Sequence, residues 1–333
     1  MSTVLGRAAG LAGGLLVLVA TVLASVAIGA KDLPLGAVRD ALAGTAGGDV
    51  HYLVLQLRIP RTLAGIAAGA SLGVAGALIQ ALTRNPLADP GILGVNAGAT
   101  LFVTVGVAAF GVASVDGYVW FAFLGALLTT VAVYLVGAGG RGQVDPVRLT
   151  LGGVAIGAVL LGITTSVMLA DPRAFDQMRS WEVGSLVNRD LGVLGSVGPF
   201  LVLGLLVAAA VARPLNAIAL GDDSARALGA HVTRTRALVV VAVTLLAGGA
   251  TALAGPIGFM GLIAPHVARW IVGPDQRWVL AYTVVLAPAL LLGADVLGRI
   301  AMRPGEVPIG IISALVGAPV LIVLARRRRV VAL

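Results

Sequence analysis

The sequence predicts an all-α fold, a polytopic integral membrane protein with ten transmembrane helices in one domain over 1–333. Three observations predict it. Of 333 residues only 11% are charged and 59% are hydrophobic, whereas a soluble domain carries roughly 25% charged residues. Mean hydropathy is +1.02, far too apolar for a disordered low-complexity chain. Apolar stretches near the roughly 20 residues a spanning helix needs recur along the whole chain, between charges and Pro/Gly turns.

The first segment, 11–30, follows Arg7, and its length and poor cleavage signal favour a spanning helix over a secretory leader. The second, 61–82, opens at Arg58-Ile59-Pro60-Arg61, with Pro60 placed to start the helix. Gly65, Gly69 and Gly73 recur along it every fourth position, a spacing that lets helix backbones approach closely in lipid. The third, 92–112, emerges from TRNPLADPGILGVNAGA (83–99), where two prolines, Asn85 and Gly91 make a fixed turn. A few residues around Asp116 divide it from the fourth, 117–138. The fifth, 148–170, carries Gly153 and Gly157. The sixth, 193–213, and the seventh, 236–254, flank the most polar connector. The eighth, 257–272, is short and rich in Gly and Pro, so it is expected to be broken or only partly spanning; backbone groups freed there need cover from protein or a water-filled path. The ninth, 278–298, holds Asp295, and the tenth, 308–325, follows Glu306.

Three connectors exceed a simple turn. The stretch 31–60 is long enough for a short surface helix, and 171–192, with Trp181, suits an interfacial helix. In 214–236, Leu215, Ile218 and Ala219 give a short apolar face. Gly221 is expected to break the helix there, Asp222 or Asp223 to cap the next one, and Gly229 to end it. Two short helices lying flat are implied.

An even number of spans puts both ends on one side, and the four arginines at 326–329 mark that side as cytoplasmic. Arg7, Arg84, Arg141, Arg148, Arg213, Arg226, Arg234, Arg236, Arg269 and Arg277 then fall inside as well, which agrees with the positive-inside rule. A multi-pass protein of the cell membrane with both termini in the cytoplasm is expected. The basic excess reads as membrane topology; no nucleic-acid partner is implied.

Several chemistries are excluded. There is no cysteine, so no thiolate metal site or thiol catalysis. His51, His231 and His266 lie far apart and show no ligand spacing. No phosphate-binding G-x-x-x-x-G-K-[ST] loop exists, so the chain is not expected to hydrolyse ATP or to act as an enzyme, and no cofactor or metal is expected on it. The remaining polar residues support two readings each. Arg58 and Arg61 could snorkel at a span end or offer forked donors to carboxylates of an external partner. Residues 215–229 could be a plain connector or a lever for a cytosolic partner. His266 could be packed or could carry protons. Asp295 and Arg299, at i and i+4, could neutralise each other, or Asp295 could couple an ion.

The strings RIPR, GALIQALTRNPLADPGILGVNAGA, LNAIALGDDSARALG, AGPIGFMGLIAPHVAR and EVPIGIISALVGAP together resemble the FecCD family of permeases of type II ABC importers, from about Arg58 to the C-terminal arginines. The resemblance implies ten spans with both ends cytoplasmic. It also implies a second permease subunit, two ATPase subunits carrying ATP-Mg, and an extracytoplasmic substrate-binding lipoprotein. It implies docking of that protein at Arg58, Arg61 and Arg299. It places the coupling to the ATPase at Leu215, Asn216, Ala219, Leu220, Gly221, Asp222, Asp223, Ala225, Arg226, Leu228 and Gly229. It places an inner gate at Arg141, Gly142, Gln143, Val144 and Asp145, before the fifth span. ALTRNPLADPGILGVNAGA and SWEVGSL (180–186) look closest to the ferric siderophore branch of the enterobactin type, in which a paralogous heterodimer is the expectation. Haem or cobalamin import is the alternative within the family. An ion-driven secondary transporter is the alternative outside it, with Asp295 as its one candidate carboxylate.

Overall fold

A computed structural model describes residues 4–29, 31, 33–138 and 146–326, and every regular element among them is helical. In chain order these are α1 (Val4–Ala27), α2 (Leu35–Leu42) and α3 (Gly48–Tyr52). A π-helical stretch (Leu53–Arg58) joins α3 to α4 (Ile59–Thr83), and a 3-10 turn (Pro90–Leu93) precedes α5 (Val95–Phe110). Then come α6 (Val115–Ala138), α7 (Pro146–Ala170), α8 (Pro172–Trp181), α9 (Leu191–Ala219), α10 (Asp222–Ala227) and α11 (Val232–Val243). A second π-helical stretch (Thr244–Gly248) leads into α12 (Gly249–Ala254), followed by α13 (Met260–Val272), α14 (Gln276–Ala301) and α15 (Ile309–Arg326).

Among the described residues, seven stretches are long and apolar enough to cross a bilayer: α1, α3–α4, α6, α7, α9, α11–α12 and α14. The shorter apolar helices α5, α13 and α15 coincide with the third, eighth and tenth expected segments. Their shortness has local causes. Gly94 and Gly111, both left-handed, bound α5. An irregular stretch from Gly255 to Phe259 takes the place of the first part of the eighth segment.

α4 is the centre of the bundle. It is buried over most of its length, unlike α1, and packs against α14, α13, α9, α12 and α11. A helix apolar all round belongs inside, and its small residues allow that many neighbours. The glycine spacing marks a real seam. A methyl group placed on Gly69 would sit 2.6 Å from the Cα of Pro288 in α14, and one on Gly76 would overlap the backbone of Gly261 in α13. These helices meet backbone to backbone.

Pro60 lies in the first turn of α4, as expected, and the widened π-helical turn before it continues the helical backbone back to α3 and accommodates the missing N–H. α9 runs through Pro214 to Ala219, so the connector holds one short helix, α10, rather than the two expected. The expected surface helix in 31–60 is α2, and the interfacial helix in 171–192 is α8. Backbone freed in the eighth segment is covered by protein. The N–H of Ser185 donates to Ala254 O (2.7 Å), Gly184 and Gly310 close on Pro256, and Phe259, itself left-handed, packs on Gly317.

Candidate functional site

At one end of the bundle Arg58, Arg61 and Arg299 line a single cavity of about 230 Å³ together with Lys31, Asn188 and Glu306. The fold therefore gathers the three arginines singled out in the sequence, but it uses them unequally. Arg58, 5% exposed, donates to the carbonyls of Val26, Ala27 and Lys31 at 2.7–2.9 Å. Arg299, 1% exposed, donates to the carbonyls of Ser25 (2.7 Å) and Ile28 (2.9 Å), to Ser25 Oγ and to Asp295. Both satisfy the carbonyls that the end of α1 leaves without intrahelical partners. Arg61 grips Asp295 through Nε (3.1 Å) and Nη2 (2.7 Å) and Glu306 through Nη1 (2.7 Å). Asp295 thus lies buried between two guanidinium groups. Counting Lys31, four cations line the cavity, with Glu306 on its wall and Asp295 buried behind Arg61 and Arg299.

At the opposite end the polar connector meets the end of α4. Gly221 holds φ 108°, ψ 153°, a region essentially closed to residues with a side chain. Neither Asp222 nor Asp223 caps α10. Both lie in its first turn, where Asp222 takes hydrogen bonds from Arg84 (2.8 Å) and Arg236 (3.0 Å). Arg84, the left-handed residue closing α4, also donates to Ile218 O (2.7 Å). Gly229, at φ 80°, ends the helix as expected. Ile218, Ala225 and Val232 form a small core beneath, with Leu215 buried in the main one. Asn216 is turned inward, donating to Asp275 (2.8 Å) and accepting from the Gln276 N–H (2.8 Å). Leu220 and Leu228 stand 68% and 67% exposed, and Asp223 pairs with Arg226 in solvent. Ala219 is half-buried beside Leu220, and Ala225 belongs to the small core.

A third feature escaped the sequence reading. Asn96, Thr100, Thr164 and Glu182 line a cavity of about 360 Å³ between α5, α7 and the end of α8. Thr251 donates to Asn96 Oδ1 (3.0 Å), and burial pushes the Glu182 carboxyl above its usual range. The available signal was Asn96, an amide inside an otherwise apolar helix. His266 is packed edge-on to Trp270, ring centroids 4.6 Å apart. The gate residues Arg141, Gly142, Gln143, Val144 and Asp145 lie outside the described residues. Among those described, no group of His, Asp and Glu is placed to hold a metal ion.

Residues 16–327 match the model of the FecCD transport family. The chain is 49% identical over 328 residues to the ferric enterobactin transport system permease protein FepD of Escherichia coli (strain K12), covering 98% of each chain. It is 35% identical over 297 residues to the ferric enterobactin transport system permease protein FepG of the same organism, covering 89% of each. A solved ABC transporter chain described as of metal-chelate type, in an inward-facing conformation, superposes with a TM-score of 0.84 at 26% identity. That match covers 96% of this chain and 99% of the other.

Proposed function

This chain belongs to the FecCD transport family, and on that premise we propose that it is the permease subunit of an ABC importer that carries a ferric siderophore into the cell. The carrying observation is its 49% identity to a ferric enterobactin permease over 98% of both chains. Ten membrane segments, the seven long ones with α5, α13 and α15, enclose half of a central path. A paralogous permease supplies the other half, as the pair FepD and FepG suggests.

The cavity of Arg58, Arg61 and Arg299 faces outward and receives a carboxylate of the substrate-binding lipoprotein. Arg61 is the donor that exchanges partners, because Arg58 and Arg299 already hold α1. Leu220, Leu228 and the Gly221 turn face the cytoplasm and seat in an ATPase subunit, which binds ATP-Mg. Closure of the ATPase pair moves α10, and Asp222 passes the movement to α4 and α11 through Arg84 and Arg236. The cleft of Asn96, Thr100 and Thr164 offers the chelate a weakly polar wall. The gate at 141–145 closes the cytoplasmic side. Both termini are cytoplasmic.

The test is uptake of a labelled ferric catecholate chelate into proteoliposomes holding this chain, its paralogue, the ATPase and the binding protein. Accumulation that requires all four and ATP is expected. Accumulation by this chain alone, driven by an ion gradient, would overturn the reading.

A further inference from the structure

Between α9 and α14 runs an apolar groove of about 400 Å³. Val74 of α4 with Ala208 and Ala212 forms its buried floor, and Ala209, Ala281 and Val284 lie along its sides. Both flanking helices are long and apolar enough to cross a bilayer, so the groove opens toward lipid. It exists because alanines stand where longer side chains would close the space.

One end of the groove is basic. Arg277 lines it directly, one turn from Ala281 on the same face of α14. Arg213 follows Ala209 by four positions and so continues the α9 stripe toward the same end. That these ends meet is independently fixed, because Asn216 of α9 bonds to both Asp275 and the Gln276 N–H at the start of α14. Asp275 takes the Nε and Nη2 of Arg277 at 3.2–3.4 Å, which leaves the other Nη free on a side chain 54% exposed. Arg7 lies 4.0 Å from Asp275 with its guanidinium over the Trp278 ring. Arg277 and Arg7 therefore both reach Asp275 near the mouth of an apolar slot, and Arg213 adds a third positive charge on the α9 side.

We propose that this groove is a binding site for an acidic phospholipid, with an acyl chain along the alanine floor and the phosphate against Arg277 and Arg213. Basic pockets between spanning helices recognise anionic head groups, and guanidinium forks match phosphate oxygens. The inference is independent of what the importer carries.

The test is native mass spectrometry of the purified full chain, released from micelles containing equal phosphatidylglycerol and phosphatidylcholine. The unaltered chain should retain one phosphatidylglycerol in preference to phosphatidylcholine. Arg213→Gln with Arg277→Gln should reduce that retention roughly thirtyfold, since each near-surface arginine contributes on the order of 1 kcal/mol. Ala281→Trp, which fills the slot and keeps the charges, should reduce it as well. Val284→Trp, at a more exposed position, repeats the plugging test should Ala281→Trp not fold. Retention unaffected by plugging would mean that surface charge alone collects the lipid, and the site would be withdrawn. Equal retention of the two lipids by the unaltered chain would also overturn it. So would loss of a co-purifying protein on plugging with lipid unchanged.

Discussion

Arg58 and Arg299 converge on the same stretch of backbone, the last turn of α1, from two different helices. Arg58 takes the carbonyls of Val26 and Ala27, and Arg299 those of Ser25 and Ile28. Replacing either by Met strands buried acceptors at about 1–3 kcal/mol each. Arg299→Met should cost more, because Asp295 then keeps only Arg61, and breaking a buried pair costs about 3–5 kcal/mol. Thermal unfolding in detergent should rank the chains unaltered, Arg58→Met, Arg299→Met. Equal midpoints would show that α1 is held by other means.

Glu306 pairs with Arg61, so on the proposed docking role it would compete with an incoming carboxylate for that side chain. Glu306→Gln should therefore tighten the complex with the binding protein, while Arg61→Glu should weaken it. Rim charge pairs contribute about 0.2–1 kcal/mol, so changes of a few-fold are expected at low salt, shrinking as salt screens the site. Surface plasmon resonance at two ionic strengths measures this. An affinity that ignores both substitutions would remove Arg61 from the docking surface.

Gly221 and Asp222 act together at the other end. Gly221→Ala places a Cβ at φ 108°, a strain of about 1–3 kcal/mol. Asp222→Asn loosens both Arg84 and Arg236. Each should leave membrane insertion intact and lower transport per ATP hydrolysed. Leu220→Asp with Leu228→Asp should abolish co-purification of the ATPase. Full recovery of the ATPase with that double variant would place its contact elsewhere.

Asp275 sits in a connector with its carboxyl held below the ordinary value. Its partial burial, which acts in the opposite sense, is outweighed by hydrogen bonds from Arg277 and Asn216. A group with a depressed folded pKa contributes stability above its unfolded pKa, about 3.9, and loses it as pH falls through the folded value. Unfolding midpoints of the unaltered chain should therefore fall on acidification below about pH 4, and Asp275→Asn should flatten that fall. A parallel decline in both would assign the acid sensitivity to another group.

Much of this was legible in the chain. Apolar stretches coincide with helices throughout, and the Asp295–Arg299 pair follows from i,i+4 spacing. What escaped depended on contacts between distant segments. Spacing could not show that α1 ends beside Arg58 and Arg299, and so could not show that two of the three arginines face inward. Asn216 reads as part of an exposed lever, yet α14 begins beside it and claims both ends of its amide. The two short helices expected in 214–236 became one because α9 runs on through Pro214 to Ala219; one lost hydrogen bond is tolerated inside a helix that long.

The glycine seam separates contact with rigid backbone from contact with a yielding side chain. A Cβ on Gly69 meets the backbone of Pro288 at 2.6 Å, whereas one on Gly65 meets the Cδ2 tip of Leu292 at the same distance. A leucine side chain can rotate away; a proline backbone in the middle of α14 cannot. Gly65→Ala should therefore cost about 1 kcal/mol, at the low end of the penalty for overpacking, and Gly69→Ala should reach its upper end near 3 kcal/mol or more. The spacing is identical and only the facing atoms differ, so the comparison isolates backbone contact from helix propensity, which is the same at both sites. Thermal unfolding of the two variants in the same detergent reads the difference. Equal destabilisation would mean that α4 and α14 yield as easily as a side chain, and the close approach of the two helices would no longer explain the glycines.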